Sequence, residues 1–247
     1  MKTAFRILVL CLPLALASPA AAEEAAAKYP SMAPINQYHS PDQAAEIALA
    51  RSAAPKSISD DATVLTLGKS GYETTVKGKN GFVCFSGRSW MMDYEQPEFW
   101  NPKVRTPQCW NAVAASSCLA PYLERTQWVL AGVSKDEMAA RTKAKVAAHK
   151  NTPPAPGSMV YMLSKEQYIQ DPTPPGEARW YPHVMFFVPA TDGAPWGANL
   201  QGAPIFSQTS TAEQFTTYFV VTPRWSDGTL GPYAPTVPGQ ATQHHHG

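Results

Sequence analysis

The chain has 247 residues, 44% of them hydrophobic, and a formal net charge of +1. That length can bury one sizeable core, and the near-neutral balance without basic runs argues against nucleic acid or an anionic lipid surface as the main partner.

The N-terminus reads as an export leader. Lys2 and Arg6 form a basic region, residues 7–17 are apolar, and Ala20 and Ala22 present the small side chains that a signal peptidase accepts. The apolar run falls short of the roughly 20 residues a spanning helix needs. Cys11 sits inside that run, not at the start of a mature chain, so it does not read as a lipid anchor. Cleavage before Glu23 and a periplasmic or secreted product are therefore expected, with no stable membrane insertion afterwards.

Residues 23–39 read as a flexible lead-in. Ser40, Pro41, Asp42 and Gln43 form a helix start, with Ser40 as N-cap, and the helix is expected to reach Ala53 and stop before Pro55. Residues 63–67, 72–77 and 81–88 are rich in strand formers and broken by Gly-containing turns, which predicts an antiparallel meander. Residues 91–108 read as an irregular aromatic loop. Residues 111–131 are helical in pattern, with a restart at Pro121 and a stop at Gly132. The run from Ser134 to Glu137 caps another helix that extends to about His149.

Residues 159–163, 183–188 and 216–222 then form a second strand set, and Ser164 caps a short helix between the first two. The Pro- and Gly-rich end, residues 228–247, reads as a disordered tail. Its terminal histidines, His244 to His246, are assigned no role. Strand runs separated by helices predict an α+β fold, antiparallel in its sheets, as a single domain over residues 40–227.

Three cysteines follow the leader, an odd number for an oxidising compartment. Cys118 lies in an Ala-rich helical pattern and reads as a core residue. Cys84–Cys109 is the preferred disulfide, with Cys109–Cys118 as the alternative if Cys109 precedes the helix.

No Gly-x-Ser-x-Gly elbow, phosphate-binding loop, zinc-protease helix or haem attachment motif is present. Strand alternation puts Cys84, Ser86 and Arg88 on one face, and His183, Met185 and Phe187 on one face of a later strand. If those two faces line one cleft, Cys84 or Ser86 with His183 could form a nucleophile–base pair, and Arg88 could hold a carboxylate. The plainer reading makes Cys84 a disulfide or core residue and His183 a structural one.

His183 and Met185 with Met91 and Met92 would suit a soft ion such as copper, but Met also fills gaps in cores, so no metal and no cofactor is assigned. Asp93, Glu95 and Glu98 cluster on the aromatic loop, as solvated carboxylates commonly do. Trp90, Tyr94, Phe99, Trp100 and Trp110 on or beside that loop could stack on a sugar or aromatic ligand next to Arg88 and His183.

Seven stretches carry a resemblance. They are residues 71–78, 80–84, 88–90, 99–103, 182–187, 196–199 and 224–228. In them the chain resembles an uncharacterised family of exported, signal-peptide-bearing bacterial proteins with no assigned activity. The resemblance implies an exported single domain and carries over no site residue. The expectation is a small-molecule or peptide binding module with an aromatic-lined cleft. A periplasmic hydrolase using Cys84 or Ser86 with His183, or an envelope-associated structural protein, stands as the alternative.

Overall fold

A computed structural model describes residues 28–150, 153–170 and 181–232. The leader, the final residues 233–247 and their histidines lie outside the described residues. The lead-in differs from expectation from residue 28 onward. A 3-10 turn at Ile35–Tyr38 carries Tyr38 into the core, where its hydroxyl donates to the Trp100 carbonyl at 2.7 Å. A phenol that is both buried and hydrogen-bonded fixes the segment before the first helix.

Helix α1 spans Gln43–Arg51, and its N-cap is Asp42, which accepts from the Ala45 amide at 2.7 Å. Ser40, the expected cap, instead donates to Glu46. Pro55 then opens the single turn α2, Lys56–Ser59. Strands β1 (Thr63–Gly68) and β2 (Gly71–Val76) form the expected hairpin. Gly71 sits at φ +117°, and a Cβ there would come within 2.2 Å of the Gln127 side chain, so the turn requires glycine.

The meander fails at the next step. Strand β3 (Val83–Gly87) pairs in parallel with β1, leaving β2 at the edge. The chain crosses beneath β1 through Gly78, where a Cβ would lie 2.1 Å from the Thr63 nitrogen. Only a residue without a side chain allows two backbones that close.

Strand β4 (Thr106–Trp110) returns antiparallel to β3 and takes the last part of the expected aromatic loop. Asn111 caps α3 (Ala112–Ser117), which breaks at Cys118 before α4 (Leu119–Leu130). The restart thus comes two residues before Pro121, which then falls in the first turn of α4, where its missing N–H costs nothing. Ser134 caps α5 (Lys135–Ala147) as expected. Strands β5 (Met159–Met162), β6 (His183–Pro189), β7 (Ile205–Ser210) and β8 (Phe215–Val221) complete the chain.

Among the described residues, no helix is present over 164–170. The Ser164 hydroxyl accepts from the Glu166 amide and pairs with Ser52, which makes a turn and a tie to the end of α1. Residues 228–232, expected in the tail, fold back, with the Gly231 amide donating to the Pro223 carbonyl.

Among the described residues, the eight strands form one sheet in the order β2-β1-β3-β4-β5-β6-β8-β7, antiparallel except at β1–β3. With helices packed on a mostly antiparallel sheet, the protein is a single α+β domain. One face, at the β1–β3–β4 end, carries Val64, Cys84 and Cys109 against the alanines of α1 and the turn after it. The other carries Phe85, Trp110, Val160 and Phe187 against Ala114, Leu119 and Val129 of α3 and α4. Each large apolar side chain so buried contributes about 1.5–3 kcal/mol. Among the described residues no helix is long and apolar enough to cross a membrane.

Candidate functional site

Cys84 and Cys109 stand directly opposite each other on β3 and β4 and are joined as a disulfide. Cys118 is left as a buried free thiol. The register also separates the expected nucleophile from its base. Cys84 opposes Cys109, Cys109 opposes Tyr161, and Tyr161 opposes Val184, so Cys84 and Ser86 share the Val184 face. His183 is one residue away and points to the other face. The sheet itself lies between them, so neither Cys84 nor Ser86 forms a pair with His183.

Arg88 is also elsewhere. It is fully buried toward α1, where Nη2 donates to both carboxylate oxygens of Glu46 at 2.8 Å. Nε donates to the Tyr38 carbonyl and Nη1 to the Ser86 carbonyl. Its donors bind the fold together and meet no cleft.

The expected aromatic platform is internal as well. The Trp90 indole N–H donates to Thr126 Oγ1 at 3.0 Å, the Tyr94 hydroxyl reaches Thr142 at 2.8 Å, and Trp100 packs edge-on against Phe99. All three rings are buried. They clamp α4, α5 and the chain's entry segment onto the loop. Of the loop carboxylates, Glu98 is tied to Asn101, while Asp93 borders the cavity described next.

Of the expected ligand-binding residues, His183 and Trp110 lie at a cavity. This cavity of about 300 Å³, open on one side, lies between the face of the sheet that α3 and α4 cover and the loop after β3. Its floor follows from strand alternation. Met162 opposes His183, and Met185 and Phe187 continue that face of β6. Phe215, Thr217 and Phe219 lie beside them on β8. Trp110 and Gln108 extend the floor onto β4, and Met91 and Met92 close it from the loop. Trp110 stacks on Phe187 with centroids 5.3 Å apart. The methionine–histidine grouping noted in the sequence is thus gathered around one cavity, His183 and Met185 on the floor and Met91 and Met92 opposite. Among the described residues no three His, Cys, Asp or Glu side chains are grouped to hold a metal ion.

The polar groups around this cavity are largely tied to one another. The Trp110 N–H donates to Gln108 Oε1, and Gln108 Nε2 donates to Thr106, each at 3.0 Å. Arg125 of α4 pairs with Glu213 from the turn between β7 and β8, and lies over the Tyr94 ring at 4.2 Å. Burial raises the Glu213 carboxyl above its ordinary range, with Arg125 opposing that shift and Asp93 adding to it. Burial acts most strongly on Arg125 and lowers it, but Glu213 together with Tyr94 and Tyr122 more than offsets this, and the guanidinium is held more firmly protonated. Burial pushes His183 down to about 4, so its imidazole is neutral at pH 7, and Nδ1 lies 2.9 Å from the Tyr181 carbonyl. A neutral ring facing a carbonyl donates from Nδ1, which leaves Nε2 as the basic nitrogen.

Gln167 differs from its neighbours. Both its side-chain oxygen and nitrogen are buried at the cavity, and among the described residues neither has a hydrogen-bond partner. Reading by residue type missed Gln108, Gln167 and Glu213, because amides and carboxylates carry no motif at these spacings. The alternation of Phe215, Thr217 and Phe219 was a signal that could have extended the His183 face. Comparison with protein-family models, curated proteins and solved structures finds no match.

Proposed function

We propose that the protein binds a small molecule in the cavity beside His183. The observation that carries this reading is the makeup of the cavity walls. A space of about 300 Å³ walled by Trp110, Phe187, Phe215 and four methionines, with a few converging polar groups, has the makeup of a ligand site. Thioether walls are polarizable and adapt to the shape of an aromatic guest. The volume suits one small molecule or a single aromatic side chain, which favours a small ligand over an extended peptide. Export fits the same picture, supported by the leader pattern and by a paired Cys84 and Cys109; intact-mass measurement of secreted protein lacking residues 1–22 tests it.

The cavity reading is tested by filling the space. Thr217→Trp places an indole on the floor, where Thr217 now lies buried. Small aromatic compounds are expected to raise the melting temperature of the wild-type chain and to lose that effect in Thr217→Trp. Equal shifts in both proteins would place any binding outside this cavity.

A further inference from the structure

The cavity's chemistry narrows what it can hold, an inference that rests on the reading of this space as a binding site. Its apolar walls present ring faces and thioethers, so a guest must bring a flat apolar body. Its charges are unequal. Glu213 is matched by Arg125, whereas Asp93 also borders the space and has no ion-pair partner among the described residues. The His183 imidazole adds no positive charge at neutral pH. An anion would therefore meet an uncompensated carboxylate beside apolar walls, which is unfavourable.

Gln167 supplies the specific element. A primary amide offers an N–H donor and a C=O acceptor side by side on one planar edge. Gln108 shows the normal fate of such a group here, since its oxygen and nitrogen are both engaged by Trp110 and Thr106. Gln167 has the same two groups buried at the cavity with no partner among the described residues. A buried amide left unpaired is penalised, and a ligand bearing the reciprocal edge removes that penalty twice over.

We infer that the cavity takes an uncharged aromatic molecule whose edge carries an N–H donor beside a carbonyl acceptor, an aryl carboxamide or a lactam- or imide-type ring, paired through two hydrogen bonds to Gln167. The ring lies among Trp110, Phe187 and the methionines, and specificity comes from the paired edge. A guest lacking that edge leaves the Gln167 amide unmatched, which is the means by which polar sites reject apolar analogues.

Isothermal titration of the full chain with benzamide, ethylbenzene and benzoate tests this. Benzamide is expected to bind at least about tenfold more tightly than ethylbenzene, the difference that one or two net hydrogen bonds produce. Benzoate is expected to bind more weakly than benzamide. Gln167→Leu should remove the preference for benzamide and leave ethylbenzene binding equal or tighter; Gln167→Met is a second variant with a similar side-chain volume. Both variants should keep or raise the melting temperature, because each removes an unpaired buried amide. Equal binding of benzamide and ethylbenzene, a preference that survives both substitutions, or a preference for benzoate would overturn the ligand class while leaving the cavity as a site. If none of the three probes binds, the cavity reading falls as well.

Discussion

Removing the carboxylate of Glu46 tests whether Arg88 is part of the frame. Arg88 is fully buried and the Glu46 side chain is 3% exposed, with both carboxylate oxygens 2.8 Å from Nη2. Glu46→Ala leaves a guanidinium in the interior with no counter-charge and one nitrogen without an acceptor. Breaking a buried pair from one side costs about 3–5 kcal/mol. A domain's total stability is about 5–15 kcal/mol, so the loss would be a large fraction of the whole.

Urea denaturation at pH 7, followed by tryptophan fluorescence, would read the change as a lower midpoint with an unchanged slope. The double variant Arg88→Met with Glu46→Leu removes both charges at once. It should cost well below the sum of the single changes, with a coupling of about 2 kcal/mol or more. A loss under about 1 kcal/mol for Glu46→Ala, or strict additivity, would refute the argument and return Arg88 to the list of residues free to serve a ligand.

Three further outcomes follow from the same structure. In the unfolded chain, reduction should expose two more titratable thiols than the unreduced sample shows, and losing the Cys84–Cys109 link, which closes a separation of 25 residues, should cost about 3 kcal/mol. His183 is neutral when folded, with a pKa near 4, but protonates near 6.5 when unfolded. Its contribution is therefore complete above pH 6.5 and declines as pH falls to 4, by up to about 3 kcal/mol. Subtracting the stability–pH curve of His183→Gln from that of wild type should reveal this slope, and a flat difference would contradict it. Gly78→Ala should destabilise by more than about 2 kcal/mol, because its methyl group would collide with the β1 backbone. Native behaviour in chemical denaturation would show that the crossing can relax.

Much of the local structure was legible before the fold was seen. Capping signals placed α5 at its Ser134 start, period-two alternation located β1, β5, β6 and β8, and cysteine counting led to the Cys84–Cys109 pair. What failed was non-local. Nothing in residues 63–88 distinguishes a β3 that pairs with β2 from one that pairs with the far side of β1, since both bury the same alternating face. The edge strand β7 was missed because Ile205–Ser210 alternates weakly and is mostly exposed. The site was misread for a related reason. Arg88, Trp90, Tyr94 and Trp100 are the residue types that ligands favour, but the partners that bury them, Glu46, Thr126, Thr142 and Tyr38, lie 36 to 62 residues away. His183 was found by residue type and confirmed at a cavity only by the register of its neighbours.

The Arg125–Glu213 pair has a mechanical role besides its electrostatic one. The sheet is narrow at β4–β5, where only Cys109–Tyr161 and Trp110–Val160 are in register, as few as between β1 and β3 and against seven paired positions between β6 and β8. The disulfide and the Arg88–Glu46 clamp stiffen the portion before that neck, whereas β5, β6, β8 and β7 hang beyond it. Arg125 belongs to α4 on the near side, and Glu213 belongs to the turn at the far end of the hanging portion. Their pairing is a strut across the joint. The floor of the cavity lies on both sides of the same joint, so the strut sets the angle at which its two halves face each other, and with it the room inside.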